Sequence, residues 1–197
     1  MDIIYSEYIA SYNREEQCPQ GEVAEIAFIG RSNVGKSSLI NMLCNKKELA
    51  KVSKEPGKTQ MMNFFIINNS WHLVDLPGYG YARKSHKTRE AWQKMINYYL
   101  LNRAQLRLAF VLIDARHPLQ KIDLDFINWM GSNQIPMAMV YTKIDKLNQS
   151  EIKPNIKRIQ DELSKYWDNL PTQFISSAEK TTGKAEILQF VDEIVNK

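Results

Sequence analysis

Residues 30–37 read Gly30-Arg31-Ser32-Asn33-Val34-Gly35-Lys36-Ser37 and match the pattern G-x-x-x-x-G-K-[ST]. An apolar run over residues 23–29 precedes this stretch, and apolar side chains with helical spacing follow it over residues 36–44. The stretch therefore joins a predicted strand to a predicted helix, as a phosphate-binding loop does. In such a loop the backbone N–H groups and the helix N-terminus bind a polyphosphate, Lys36 reaches its β and γ oxygens, and the Ser37 hydroxyl coordinates Mg²⁺. We expect all eight residues to contact the nucleotide, and we include Ser38, whose position is more typical of a helix residue than of a ligand.

The length and composition indicate one soluble domain. The chain has 197 residues, of which 44% are hydrophobic and 24% charged, and these values exclude disordered and coiled-coil classes. No apolar run approaches the roughly 18 to 20 residues of a membrane span, and the first residues lack the pattern of a signal peptide. Two cysteines are too few for a disulfide framework or a zinc site. We expect a single domain over residues 1–197, with residues 1–21 as an extension that packs on it or flanks it, in the reducing cytoplasm and without a membrane partner.

Strand and helix patterns alternate through the rest of the chain. Strand-like runs occupy residues 23–29, 64–67, 72–74, 106–113, 137–141 and 172–175, and helical patterns occupy residues 36–44, 92–100, 122–130, 152–167 and 185–195. The turn Asn68-Asn69-Ser70 makes residues 64–67 and 72–74 an antiparallel hairpin, and Ser150 is the expected N-cap of the helix over residues 152–167. The alternation predicts an α/β fold with a doubly wound, six-stranded and mostly parallel sheet that has one antiparallel edge pair. Such sheets bind ligands at the carboxyl ends of their strands.

A second motif follows the strand over residues 72–74 and reads Asp75-Leu76-Pro77-Gly78. Asp75 stands at a strand end, where its carboxylate can hold Mg²⁺ through water, and the N–H of Gly78 can meet the γ-phosphate. Alone, this tetrapeptide is an ordinary turn. Behind a phosphate-binding loop it predicts a second contact with a nucleoside triphosphate.

A third motif, Thr142-Lys143-Ile144-Asp145, selects the base. The Asp145 carboxylate can accept hydrogen bonds from N1–H and from the amino group of guanine, whereas adenine has an acceptor at N1 and no amino group at C2. The stem of Lys143 can pack on the purine. In isolation the motif is also typical of a helix-start cap. The small residues Ser176, Ser177 and Ala178, after the last predicted strand, can supply a backbone N–H to guanine O6.

The positive charge of the chain is local. The net charge is +4, but residues 46–58 hold five lysines against two glutamates, and residues 83–89 hold four basic residues and no acid. A basic surface near the γ-phosphate favours binding to RNA phosphates, with Tyr79, Tyr81 and His86 as candidates for stacking on unpaired bases. The alternatives are solvated lysines that compensate the bound nucleotide and aromatic side chains that serve packing.

These motifs together resemble the YihA/EngB-type GTPases of bacterial ribosome biogenesis, within the translation-factor class of P-loop GTPases. The strings that carry the resemblance are GRSNVGKSSLIN (30–41), PGKTQ (56–60), NFF (63–65), DLPGYGYA (75–82), TKIDK (142–146) and SSA (176–178). Thr142 stands where most GTPases carry asparagine, and threonine there is typical of this family. The resemblance implies a Ras-like P-loop fold, binding of GTP and GDP with Mg²⁺, and a monomer that acts on the rRNA and proteins of the large ribosomal subunit and not on DNA. It also implies a link to cell division and septation.

The resemblance also assigns roles to individual residues. Thr59 would coordinate Mg²⁺ and sense the γ-phosphate, within a nucleotide-binding segment formed by Pro56, Gly57, Lys58 and Thr59. The implied metal ligands are Ser37, Thr59 and, through water, Asp75. The implied catalytic residues are Lys36, Thr59 and Gly78.

Two positions bear on the rate of hydrolysis. Ras carries a glutamine after the glycine of the second motif, and that side chain orients the attacking water. This chain carries Tyr79 there, so we expect intrinsic hydrolysis on the order of 10⁻⁴ to 10⁻² s⁻¹. Asn33 matches the position that helps to hold K⁺ in potassium-activated relatives, which makes K⁺ a candidate second cation.

Three other functions compete with this interpretation. Nucleoside and nucleotide kinases use the same phosphate-binding loop, but they need neither the DLPG nor the TKID motif, and no acceptor-binding lid is evident. A membrane-signalling small GTPase would usually carry a C-terminal cysteine for prenylation, and this sequence ends in Asn196-Lys197. A GTPase switch with a non-ribosomal partner remains the third alternative.

Overall fold

The computed structural model describes residues 1–50, 61–80 and 86–196, with side chains from residue 90 onwards in the last of these ranges. Its strands are β1 (Ser6–Tyr12), β2 (Glu25–Gly30), β3 (Met62–Ile67), β4 (Trp71–Asp75), β5 (Leu106–Asp114), β6 (Met137–Thr142) and β7 (Gln173–Ile175). Its α-helices are α1 (Lys36–Leu43), α2 (His86–Asn102), α3 (Lys121–Ser132), α4 (Gln149–Leu163) and α5 (Lys184–Val195), and short 3-10 turns span Glu15–Gln17 and Ile144–Lys146.

The strands form one mixed sheet in the order β1-β3-β4-β2-β5-β6-β7. The five strands from β4 to β7 in this order run parallel to one another, as expected of repeated strand–helix units. The predicted hairpin is present, because β3 and β4 pair antiparallel across a turn in which Asn68 and Asn69 both have positive φ. The predicted α/β fold with a mostly parallel sheet is confirmed.

The sheet has seven strands rather than the expected six, because the N-terminal extension contributes β1. This strand pairs antiparallel with β3, so the antiparallel part of the sheet contains three strands and not one pair. Of the β1 residues only Ser6 is buried, and Glu7, Tyr8 and Ile9 are exposed. β1 is an edge strand held by backbone pairing and by edge-to-face contacts of Tyr8 with Phe65 and of Tyr12 with Phe64. Its sequence lacks the alternating or continuous apolar pattern that identified the other six strands.

Two apolar layers cover the two faces of the sheet. Every residue of β2 is buried, and its side chains alternate between the layers, with Ala27 and Ile29 on one face and Ile26 and Phe28 on the other. Helices α2, α3 and α4 supply the first layer, and α1 and α5 supply the second. This arrangement places the carboxyl ends of the parallel strands at one end of the sheet, where the loops that follow β2, β4 and β6 meet.

The opposite end of the sheet contains a buried charged cluster. Glu25, the first residue of β2, accepts hydrogen bonds from the Tyr99 hydroxyl at 2.7 Å and from Arg103 Nη2 at 2.7 Å and Nε at 3.0 Å. Arg103 also binds Glu15 and the carbonyl of Pro19, so it fastens the N-terminal extension to the domain. We call Glu25, Tyr99 and Arg103 the Glu25 cluster.

Several helix ends differ from the sequence prediction: α2 begins at His86 rather than 92, α4 ends at Leu163 rather than 167, and α4 also has a different N-cap. Helix α4 begins after Asn148, whose backbone N–H donates to Glu151 at 2.8 Å, and Ser150 lies inside the first turn. The prediction of Ser150 as the cap was wrong, because the capping-box spacing of Asn148 and Glu151 decides where the helix starts. In the part of the chain that the structure describes, no helix has the length and apolar character needed to cross a membrane.

Candidate nucleotide site

The phosphate-binding loop connects β2 to α1, as predicted. β2 ends at Gly30 and α1 begins at Lys36, with Ser37 and Ser38 in its first turn. A Cβ on Gly30 would lie 2.9 Å from the Leu112 carbonyl oxygen, and Gly35 has a φ of +106°. Both positions therefore require glycine, and the loop wraps tightly over the end of the sheet.

The charged groups of the first two motifs are in contact. The Lys36 ammonium forms an ion pair with the Asp75 carboxylate at the end of β4, and the exposed fractions of these side chains are 10% and 3%. Asn63, on β3, donates to the other Asp75 oxygen at 3.3 Å. Asn63 belongs to the NFF string that carries the resemblance, but no site role was predicted for it, because it faces Asp75 only through the pairing of β3 with β4. The parallel pairing of β2 with β4 therefore brings a cation and an anion together at the mouth of the loop.

The DLPG turn lies directly on the phosphate-binding loop. A Cβ on Gly78 would lie 2.9 Å from the Gly30 carbonyl oxygen and 3.2 Å from the Ser32 nitrogen, so only glycine permits this approach. The next residue, Tyr79, donates its backbone N–H to the same Gly30 oxygen at 3.2 Å. Leu76 and Pro77 are buried, and the Leu76 N–H donates to the Phe28 carbonyl oxygen at 3.0 Å.

The third motif braces the phosphate-binding loop from the opposite side. The Thr142 hydroxyl is buried and lies 2.6 Å from the Val34 carbonyl oxygen and 3.2 Å from that of Ile113. Lys143 donates to the carbonyl of Asn33 at 2.5 Å, and its stem runs past Gly35. Thr142 thus positions the loop with its side chain, and the Lys143 stem lies over it.

Asp114, which the sequence did not single out, completes this bracing. It ends β5 and accepts hydrogen bonds from Lys143 at 3.0 Å and from Arg116 at 2.7 Å and 2.9 Å. Burial favours its neutral form, but the hydrogen bonds from Arg116 and Lys143 outweigh burial and lower the pKa of Asp114 to about 2. Asp114 therefore stays ionised and holds Lys143 in place.

Asp145 has one carboxylate oxygen that is satisfied and one that is not. The Ser177 hydroxyl donates to Oδ1 at 2.7 Å. Oδ2 is buried and accepts no hydrogen bond, although the Lys146 ammonium lies 3.2 Å away. Burial raises the pKa of Asp145, and the Ser177 hydrogen bond and the Lys146 charge more than reverse that effect and lower it. The ionised carboxylate therefore retains acceptor capacity in a buried position.

The segment over residues 176–178 lies beside this carboxylate. The N–H of Ser176 donates to Tyr141 at 2.7 Å, and that of Ser177 donates to Thr182 at 3.2 Å. Among the described residues, the Ala178 N–H has no hydrogen-bond partner. Within the described part of the chain, a backbone donor and a carboxylate acceptor that both lack a hydrogen bond therefore lie on neighbouring loops.

Tyr79 packs inside the protein. Its hydroxyl donates to Asp123 Oδ1 at 2.9 Å, and its ring stacks on Phe126 with centroids 4.5 Å apart. The suggestion that Tyr79 stacks on RNA bases is therefore wrong, and the packing alternative is confirmed for this residue, which is only 4% exposed. Asp123 was missed, although it shares the apolar face of α3 with Phe126, Ile127 and Met130, and that spacing could have revealed it.

Several predicted residues lie outside the described ranges. They are Lys51, Lys54, Pro56, Gly57 and Lys58 of the first basic segment, Arg83 and Lys84 of the second, and Thr59 and Tyr81, which lie next to these segments. The side chains of His86, Lys87 and Arg89 also lie outside the description. Of the three implied metal ligands, the structure therefore describes Ser37 and Asp75. Among the described residues, no cluster of three or more His, Cys, Asp or Glu side chains could hold a metal.

Comparison with known proteins identifies the family. Residues 25–143, from β2 to the third motif, match the family model described as 50S ribosome-binding GTPase. The probable GTP-binding protein EngB of Phocaeicola vulgatus is 49% identical over 194 residues, which are 98% of this chain and 97% of that protein. The protein of the same description from Porphyromonas gingivalis is 52% identical, again over 98% of this chain. The chain belongs to the EngB family of GTP-binding proteins. The family assignment favours neither the kinase nor the membrane-signalling alternative.

Solved structures support the fold of this EngB-family chain. A crystal structure of a probable GTP-binding protein engB aligns with a TM-score of 0.66 and 23% identity, over 88% of this chain and 99% of that one. Era, in complex with MgGDPNP and a segment of 16S ribosomal RNA, aligns with a TM-score of 0.69 and 23% identity, over 89% of this chain and 57% of Era. These comparisons give no support for K⁺, which stays a prediction from Asn33 alone.

Proposed function

We propose that this EngB-family chain is a slowly hydrolysing GTP switch that acts in assembly of the large ribosomal subunit. The observation that carries the choice of nucleotide is the buried Asp145 Oδ2 with no hydrogen-bond partner. The half-exposed Lys146 ammonium lies 3.2 Å from this oxygen and compensates its charge, but the oxygen still accepts no hydrogen bond, so the site favours a ligand that donates to it. Guanine donates N1–H and an amino hydrogen, whereas adenine would leave the oxygen without a hydrogen bond.

The neighbouring loop supports the same base. The Ala178 N–H can donate to guanine O6, so the base edge would meet one acceptor group and one donor group on adjacent loops. Ser177 keeps the carboxylate in place from the other side. A site that hydrogen-bonds its substrate in this way discriminates strongly against a base that lacks the matching groups.

The triphosphate would bind across the first two motifs. Lys36 would leave its ion pair with Asp75 to bind the β and γ oxygens, while the Asp75 carboxylate would hold a water of Mg²⁺. The metal ligands that the described residues offer are the Ser37 hydroxyl and the Asp75 carboxylate, and both are oxygen ligands, which Mg²⁺ prefers. Few protein ligands are needed, because Mg²⁺ usually keeps several of its waters. When bound, Mg²⁺ neutralises negative charge on the phosphates. Thr59 is proposed as a further ligand from the family resemblance.

The position of Tyr79 supports slow intrinsic hydrolysis. Its hydroxyl is committed to Asp123 and its ring to Phe126, so this residue does not take the water-orienting role of the Ras glutamine. Lys36 and the Gly78 N–H remain as groups that stabilise charge on the transferred phosphoryl group. We propose that an additional group, supplied when the protein meets its partner, accelerates the reaction.

The proposed partner is the large ribosomal subunit, bound through its rRNA and proteins. The support is the family model, which is described as 50S ribosome-binding GTPase. The basic segments over residues 46–58 and 83–89 flank the γ-phosphate motifs in the sequence. Contacts between such segments and RNA phosphates depend on salt.

Base choice is tested by competition between nucleotides. Asp145→Asn should weaken GDP binding by about ten- to hundredfold, because it removes charge-assisted hydrogen bonds. The same variant should bind xanthosine diphosphate better than the wild type does, because the C2 oxygen of xanthine accepts from an amide. Asp161→Asn, an exposed carboxylate on α4, is the control and should change neither affinity. Unchanged GDP affinity in Asp145→Asn would show that Asp145 does not read the base.

The ribosomal role is tested by co-sedimentation with large subunits in GDP, in a non-hydrolysable GTP analogue and without nucleotide, each at two salt concentrations. Association that requires the analogue and weakens with salt supports the proposal. Tight GTP binding without association in any state would rule out the large subunit as the partner and leave the nucleotide assignment standing.

A further inference from the structure

Asp123 connects the two motifs that would surround the terminal phosphate of the proposed nucleotide. It is the third residue of α3 and is 1% exposed, and in the described part of the chain its side-chain hydrogen bonds go to neither the predicted base site nor the ion pair of Lys36 with Asp75. Its carboxylate accepts from the Tyr79 hydroxyl at 2.9 Å and from Arg31 Nε at 2.9 and 3.0 Å. Arg31 belongs to the phosphate-binding loop, and Tyr79 follows the glycine of the DLPG turn. We call Asp123, Tyr79 and Arg31 the α3 clamp.

The clamp acts where the backbones of the two motifs already touch. Arg31 and Tyr79 form an isolated parallel β-bridge, and the Tyr79 N–H donates to Gly30. Gly78 lies so close to the loop that a Cβ there would be 2.9 Å from Gly30 oxygen. Arg31 and Tyr79 are therefore joined twice, directly through their backbones and indirectly through the Asp123 carboxylate.

Helix α3 holds the turn at two consecutive positions. The ring of Tyr79 stacks on Phe126, and a Cβ on Gly80, which has a φ of +77°, would lie 2.9 Å from Ile122 Cδ1. Movement of Gly78 away from the loop would pull Tyr79 out of this packing. It would also leave the Asp123 carboxylate without its hydroxyl donor, in a place where a lost hydrogen bond is costly.

We propose that Asp123 is a positioning residue that holds the N–H of Gly78 in place for the γ-phosphate, by fastening Tyr79 to the phosphate-binding loop through Arg31. The proposal rests on the proposed GTP switch and deepens it. GDP lacks the phosphate that Gly78 would meet, so the clamp contributes to binding of GTP and not of GDP. Its loss should lower the preference for GTP without lowering affinity for the nucleotide as such.

The Glu25 cluster supplies a matched control. Tyr99→Phe removes one hydroxyl that donates to a buried carboxylate, as Tyr79→Phe does, but at the other end of the sheet. Both changes keep the aromatic ring and its packing. A difference between the two variants in nucleotide preference therefore reports the position of the clamp and not the general effect of losing a buried hydrogen bond.

The test measures dissociation constants for fluorescently labelled GDP and for the same label on a non-hydrolysable GTP analogue, in the full chain with Mg²⁺. For Asp123→Asn we expect the affinity for the analogue to fall by about five- to twentyfold, with GDP affinity unchanged. For Tyr79→Phe we expect a smaller fall in the same direction, and for Tyr99→Phe no change in the ratio. Thermal unfolding monitors whether each variant is folded.

Three results would overturn the assignment. Equal loss of both nucleotides in Asp123→Asn would show that the clamp supports the phosphate-binding loop in general. Tighter binding of the analogue would show that the clamp holds the turn away from the γ-phosphate. An unchanged ratio in Tyr79→Phe, should Asp123→Asn not fold, would show that the hydroxyl contact has no positioning role. Failure of the wild type to bind either nucleotide would instead contradict the proposed function itself.

Discussion

The α3 clamp and the Glu25 cluster have the same chemical parts and differ in what they join. In each, a carboxylate that is at most 1% exposed accepts from a tyrosine hydroxyl and from an arginine. Glu25 and Gly30 stand at opposite ends of β2, about 16 Å apart at roughly 3.3 Å per residue. The Glu25 cluster fastens the N-terminal extension to the sheet, whereas the clamp joins two nucleotide motifs.

The pKa values of the two carboxylates are shifted in opposite directions. Burial raises the pKa of Asp123, and the charge of Arg31 and the hydroxyl of Tyr79 offset this only in part, so the pKa remains raised. Burial also acts on Glu25, but His72, Arg103 and Tyr99 outweigh it and lower its pKa. The Arg31 side chain is 27% exposed, whereas that of Arg103 is 1% exposed. The Asp123 carboxylate therefore faces a partly solvated cation and the Glu25 carboxylate a fully buried one, so we expect the α3 clamp to contribute less to stability than the Glu25 cluster.

We expect the largest loss of stability from disrupting the Glu25 cluster. Glu25→Ala leaves the buried Arg103 with a charge only partly compensated by Glu15, so it should lower the free energy of unfolding by about 3 to 5 kcal/mol. Nucleotide preference should not change, because no member of the cluster lies at the phosphate motifs. Urea denaturation measures the first effect and labelled-nucleotide titration the second. A loss below about 1 kcal/mol would mean that water reaches Arg103 after the substitution.

We expect a smaller loss of stability from removing the Asp123 charge in the α3 clamp. Asp123→Asn keeps an acceptor for Tyr79 but turns an amide donor towards Arg31, whose guanidinium can move into solvent. The free energy of unfolding at neutral pH should therefore fall by about 1 to 2 kcal/mol. The same urea experiment, with Glu25→Gln alongside, tests the ranking. A larger loss in Asp123→Asn than in Glu25→Gln would contradict the inference drawn from the exposure of the two arginines.

The opposite pKa shifts predict opposite pH dependences. The folded-state pKa of Glu25 is lowered, so this group stabilises the protein above its unfolded pKa, and that stabilisation is lost as the pH falls through the folded pKa. The folded-state pKa of Asp123 is raised, so its contribution becomes more favourable as the pH falls. From pH 7 towards acid, the stability advantage of the wild type over Glu25→Gln should shrink, and its advantage over Asp123→Asn should grow. Parallel curves for the two variants would refute the difference.

The sequence predicted the motifs of the site because each is a short string with a fixed place relative to a strand. The loop at Gly30, the turn at Asp75 and the base motif at Thr142 all follow strands whose apolar runs are buried on both faces. Parallel strands bring their carboxyl ends to one edge, so these three motifs had to meet. The local sequence patterns and the parallel topology were therefore sufficient to predict that these three motifs lie together.

The clamp and β1 were missed for different physical reasons. Arg31 and Asp123 are 92 positions apart, and no periodicity encodes such a contact. A charged residue on a helix usually faces solvent, so Asp123 gave a signal only through its spacing with buried Phe126 and Ile127. β1 is held by backbone pairing with β3 and by ring contacts of Tyr8 and Tyr12, and since Ser6 is its only fully buried residue it leaves no apolar pattern.

The smallest effect concerns the independence of the two clusters. Tyr79→Phe and Tyr99→Phe each remove one hydrogen bond to a carboxylate, and each should lower the free energy of unfolding by about 1 to 2 kcal/mol. The clusters share no residue and lie further apart than the roughly 7 to 10 Å over which such effects couple, so the double variant should lose the sum to within about 0.5 kcal/mol. A double-variant cycle by urea denaturation measures the coupling. Repeating the cycle with saturating GTP analogue makes the test more specific. The ligand should increase the loss of unfolding free energy caused by Tyr79→Phe and should leave the loss caused by Tyr99→Phe unchanged. Coupling that appears only with the analogue would mean that the γ-phosphate signal crosses the sheet along β2 and reaches the N-terminal extension, and the Glu25 cluster would then be part of the switch.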